Sequence, residues 1–76
     1  MKTIDKEKIS VDFGAFVREA REKKGLYQAD VAEQLGVSRS YYAYIEAGSR
    51  EIYFTLAINL CRVLDLDMND FIKMLK

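Results

Sequence analysis

The chain contains no histidine, and its one thiol is Cys61. That inventory leaves no nucleophile, base and orienting group to assemble into an active site. A lone thiol without histidines neither closes an intramolecular disulfide nor completes a four-ligand zinc site. The acidic residues Asp65, Asp67 and Asp70 read as helix caps and solvated surface, too few to hold a metal ion. Hydrogen-bonding chemistry remains. If Tyr42, Ile45 and Glu46 point inward, a helical period turns Arg39, Ser40, Ala43, Tyr44 and Ala47 outward. No acid interrupts that outward face, which offers a guanidinium fork, a hydroxyl and a phenol to an acceptor-rich partner. Two further charges lie on stripes otherwise assigned to the core: Arg21 comes four residues after Val17, and Glu46 four after Tyr42. An unpaired buried charge is costly, so Arg21 and Glu46 are expected to form a structural ion pair; two solvated side chains at the stripe edges are the alternative.

The elements that position these residues read as helices almost throughout, with no proline and only 4 glycines. Phe13, Phe16, Val17 and Ala20 mark a first helix over about residues 13–24, with Asp12 as its cap and Gly25 as its stop. Val31, Ala32 and Leu35 align a second over 28–35, ended by Gly36. Ser38 caps a third that runs to Ala47 and closes at Gly48. A fourth, over 53–64, turns Leu56, Ala57, Leu60, Cys61 and Leu64 inward, with Cys61 read as a small buried hydrophobe. A fifth, over 68–75, turns Met68, Phe71, Ile72 and Leu75 inward behind an Asp67 cap. Residues 1–10 read as a short N-terminal arm and residues 11–76 as one all-α domain.

Composition narrows the setting. The 12 basic residues balance the 12 acidic ones, but the basic side chains crowd the first fifty positions. A chain near this size buries only about 60% of its unfolded surface, which leaves little material for a deep pocket. No cofactor or small-molecule substrate is indicated. The opening MKTIDKEKIS lacks the apolar run of a signal peptide, and no stretch reaches a membrane-spanning length, so the expected setting is cytoplasmic.

Leu35, Gly36, Val37 and Ser38 join the second and third helices through a short glycine-containing turn, the mark of a helix-turn-helix or, more blandly, of a generic helical hairpin. Residues 13–72 as a whole resemble the phage repressor and Cro-like (XRE-type) helix-turn-helix family. The resemblance is carried by Phe13, Val17, Arg21, Gly25, Leu26, Gln28, Val31, Ala32, Gly36, Val37, Ser38, Ile45, Glu46, Gly48 and Arg50 at the family's spacings. Tyr27 departs from it where Ser, Thr or Asn usually caps the second helix, and Tyr42 where an aliphatic residue is usual.

The resemblance implies a five-helix repressor-like domain whose third helix enters the major groove of double-stranded DNA, usually as a homodimer on an inverted repeat. Under it, Arg39 is the leading base reader, with Ser40 and Tyr44 beside it. Gln28, Ser38, Tyr41, Ser49 and Arg50 would meet the DNA backbone. For Tyr41 and Tyr44, packing or dimer contact is an equal alternative. The expected function is sequence-specific transcriptional regulation by occupancy, not catalysis. An antitoxin or restriction-modification controller would use the same scaffold, and a helical protein-interaction module without DNA affinity is the reading from another class.

Overall fold

The computed structural model describes residues 5–75, over which the chain forms α1 (Lys6–Lys23), α2 (Gln28–Leu35), α3 (Arg39–Ala47), α4 (Phe54–Val63) and α5 (Met68–Met74). The first helix starts well before the expected Phe13. Asp5 caps it, its carboxylate accepting from the Glu7 and Lys8 N–H groups at 3.1 and 3.2 Å. Asp12 is no cap: it lies inside the helix and takes the Lys8 ammonium at 2.7 Å. Residues 6–10 therefore belong to α1 and not to an arm, while residues 1–4 and 76 lie outside the described residues. The added turns are legible in hindsight. Ile9 precedes Phe13 by four, continuing the apolar stripe, and Glu7 sits where the helix dipole favours an anion.

The centre of the core is Val17 of α1, Val31 of α2, Tyr42 and Ile45 of α3, and Leu60 of α4 with Leu64 at its end. At one end Phe13, Phe16 and Phe71 form an aromatic cluster, Phe71 meeting Phe13 edge to face at a centroid distance of 5.2 Å. This fixes α5 onto α1. Of the expected inward residues of α5, Phe71 is buried and Met68 and Leu75 pack at the core margin, but Ile72 is exposed. At seven residues, α5 has one side to bury, and Phe71 occupies it. Cys61 is half-buried at the rim of α4, where burial pushes its thiol pKa up and away from the reactive thiolate.

The crossing of α1 and α3 sets the position of α3. Gly14 is buried against the end of α3, where a Cβ would overlap the Ile45 and Glu46 carbonyls. Only a glycine permits that approach.

Candidate nucleic-acid interface

Local chemistry sets the angle between α2 and α3. Gly36 takes a left-handed φ of 74° and lets the Val37 N–H return to the Ala32 carbonyl at 3.0 Å, closing α2 in a tight reversal. The Ser38 hydroxyl then accepts from the Tyr41 N–H at 3.0 Å and starts α3. Buried Ala32 adds no bulk between the helices. The two are held as a helix-turn-helix.

Tyr42, Ile45 and Glu46 face the core, while Arg39, Ser40, Tyr44 and Ala47 are exposed and Ala43 is half-buried. Ser38, Arg39 and Ser40 thus form an exposed strip at the N-terminal end of α3. Tyr44, Ser49 and Arg50 are exposed at its other end, where the Arg50 guanidinium lies 5.5 Å from the Tyr44 ring centroid. Tyr41, next in the chain, is half-buried and packs against the core margin. The lone acid of α3, Glu46, is only 8% exposed, so the outward face carries no negative side chain.

Behind that face lies a buried polar cluster. Arg21 donates to Glu46 through Nε (2.6 Å to Oε2) and Nη2 (3.1 Å to Oε1), the two-pronged geometry that suits guanidinium and carboxylate. Its Nη1 donates to the Leu26 carbonyl at 2.8 Å, bracing the segment before α2. Gln28, the first residue of α2, donates from Nε2 to Glu46 Oε1 at 3.0 Å. One carboxylate therefore ties together α1, the start of α2 and α3. Burial pushes the Glu46 carboxyl up, but the hydrogen bonds from Arg21 and Gln28 outweigh it and hold the group below the ordinary carboxylate range. Buried Tyr42 lies beside the pair without closing a hydrogen bond of good geometry; burial raises its phenol, which stays neutral.

Sequence reasoning placed Gln28 only at a phosphate and missed its bond to Glu46. The signal was present, because Gln28 precedes Val31, Ala32 and Leu35 by three, four and seven residues and so stands on their inward stripe. The second N–H of its amide remains for an outside acceptor. Tyr27 supplies no side-chain cap for α2, yet Asp30 reaches back to the Tyr27 N–H at 2.8 Å and keeps half of the usual reciprocal arrangement.

Phe54, Ala57, Ile58, Cys61, Leu66 and Met68, together with the charged Arg62, Asp65 and Asp67, line an open, mostly apolar groove of about 580 Å³. Among the described residues no cluster of His, Cys, Asp or Glu could hold a metal ion, and no helix is long and apolar enough to cross a membrane.

Residues 17–71 match the helix-turn-helix family HTH_3. An uncharacterized HTH-type transcriptional regulator of Bacillus subtilis, YqaE, is 33% identical over 61 residues, covering 80% of this chain and 53% of that protein. The chain thus spans about half the length of this curated relative. Among solved structures, the restriction-modification controller protein C.AhdI of Aeromonas hydrophila superposes with a TM-score of 0.74 at 34% identity, over 80% of this chain and 92% of that one. The clp gene regulator ClgR of C. glutamicum superposes with a TM-score of 0.78 at 28% identity, over 84% of this chain and 83% of that one. The turn, the exposed acid-free helix and the match across residues 17–71 converge: the chain belongs to the XRE-type helix-turn-helix family of DNA-binding regulators.

Proposed function

We propose that the chain is a sequence-specific DNA-binding transcriptional regulator that lays α3 in the major groove and acts as a homodimer on an inverted repeat. The observation that carries this reading is the outward face of α3, free of acids and fixed from behind by the Arg21–Glu46–Gln28 cluster. A face pinned this way presents donors without first having to order itself. Arg39, at the exposed start of α3, has the fork suited to guanine O6 and N7; Ser40 and Tyr44 complete the base-facing set. Gln28, Ser38, Tyr41, Ser49 and Arg50 frame it as backbone contacts. The free amide N–H of Gln28 and the hydroxyl hydrogen of Ser38 are the donors available for phosphate.

One helix-turn-helix reads only a few base pairs, so useful affinity calls for a second copy. Phe54, 77% exposed, and Ile58, 43% exposed, line the groove of α4, and Met74 of α5 is 60% exposed; these apolar side chains are the proposed contact with that copy. A restriction-modification controller role is the second reading, supported by the likeness to C.AhdI over nearly all of that chain.

Selection of bound sites from random duplexes at two salt concentrations tests the proposal. The expected result is an inverted repeat whose affinity falls steeply with salt. Absence of any enriched motif would favour a protein-interaction module.

A further inference from the structure

The C-terminal end of α3 has a geometry that its base-facing reading does not use. Gly48 closes the helix with a left-handed φ of 75°, and the Ser49 N–H donates back to the Tyr44 carbonyl at 3.0 Å. That reversal returns the chain alongside the last turn of α3, so Arg50 lies over the Tyr44 ring with its guanidinium carbon 5.5 Å from the centroid. The reversal is itself fixed, since a Cβ on Gly48 would overlap Val11 of α1 and would have to accept a positive φ. Both side chains are exposed, and Arg50 makes no salt bridge among the described residues. Its N–H groups are therefore open to an acceptor while its plane is held by the ring.

We infer that Tyr44 is a positioning residue for Arg50: its ring holds the guanidinium at the end of α3, where Arg50 meets one DNA phosphate, and Tyr44 does not itself read a base. The inference rests on the duplex-binding reading and gives one of its residues a different task. An exposed arginine otherwise samples many rotamers and loses that freedom on binding; a ring beneath the guanidinium removes part of this cost beforehand. The phenolic hydroxyl plays no part, so phenylalanine serves as well as tyrosine.

The test measures affinity for the selected duplex and for an unrelated duplex across a salt series, using wild type, Tyr44→Phe, Tyr44→Leu, Arg50→Ala and the Tyr44→Leu/Arg50→Ala double variant. Thermal melting of each variant checks that it is folded. Tyr44→Phe is expected to bind like wild type. Tyr44→Leu should weaken both duplexes alike by about two- to five-fold, the size of an exposed cation–π contact. Arg50→Ala should weaken both further and lower the salt slope by about one, and the double variant should match Arg50→Ala. The inference is overturned if Tyr44→Phe changes preference at a single base pair, or if the losses of the two single variants add in the double. Duplex binding with additive losses overturns this inference alone; wild type that binds no duplex overturns the proposed function with it.

Discussion

Glu46 shows how one side chain can serve stability and recognition together. It sits on the helix proposed to read DNA, yet its carboxylate points backward and receives donors from Arg21 and Gln28. Glu46→Ala is expected to cost about 3–5 kcal/mol in chemical denaturation, because it strands a buried guanidinium. Replacing Arg21 and Glu46 together by apolar residues should cost less than Glu46→Ala alone, and the double-mutant cycle measures the difference. The pair also predicts an acid response. The folded pKa of Glu46 is depressed, so its contribution is fully present above the unfolded value near 4.5 and is lost as pH falls through the folded value. Melting temperature followed below that pH should fall in wild type; Glu46→Gln should start lower at neutral pH and lose less on acidification. Arg39 answers a different question at the same scale. Being exposed, it is free to be removed without unfolding the chain. Arg39→Ala should keep the wild-type melting temperature, cost about 1–3 kcal/mol on the selected duplex and relax preference at one base pair in binding titrations.

Among the elements, α1 does more than fill the core. Its N-terminal turns, started by the Asp5 cap, carry Val11 to Gly48 and Gly14 to the Ile45 and Glu46 carbonyls, so α1 sets where α3 lies. Gly14→Ala poses two opposing effects. Alanine favours the helix by about 1 kcal/mol over glycine, whereas the new Cβ overlaps backbone, which cannot swing aside as a flexible side chain can. Overlap is expected to win, with a net loss of about 1–3 kcal/mol in a denaturant titration and a weaker grip on DNA as α3 shifts. A stabilised Gly14→Ala variant would mean that α1 and α3 tolerate a wider spacing.

At the scale of the whole molecule, the exposed large apolar side chains include Phe54 and Ile58 on α4 and Ile72 and Met74 on α5, with Val11, Tyr27, Tyr44 and Tyr53 exposed elsewhere in the chain; the α4 pair, which shares one groove, is the surface proposed to meet a second copy. Placing charge there should separate two copies without disturbing the core. Phe54→Glu with Ile58→Glu is expected to keep the melting temperature within a few degrees, to shift sedimentation toward the monomer, and to convert binding of the full inverted repeat into weak binding of single half-sites. In wild type the half-site centres should lie about one DNA turn apart, ~34 to 36 Å, which footprinting reads directly. A footprint on one half-site at full affinity would count against the dimer.

Much of this was written in local patterns. Helical periodicity marked all five elements, the run from Leu35 to Ser38 marked the turn, and the misplaced charges Arg21 and Glu46 stood out because their neighbours on the same stripes were apolar. These features are legible because each depends on a residue and its neighbours within a turn or two of helix. Three others became visible only when the helices were packed. Gly14 looks like a weak point in a helix until α3 is brought against it, and Gln28, though it stands on the inward stripe of α2, has no visible partner until Glu46 arrives from a helix eighteen residues later. Ile72 fits the inward pattern of α5 as well as Phe71 does, but the aromatic cluster with Phe13 and Phe16 settles the rotation of so short a helix and leaves Ile72 outside. Periodicity gives a helix an apolar side; which residues at its edge are covered, and which backbones come close enough to require glycine, depend on the partner helix and its crossing, and that is a property of the packed chain alone.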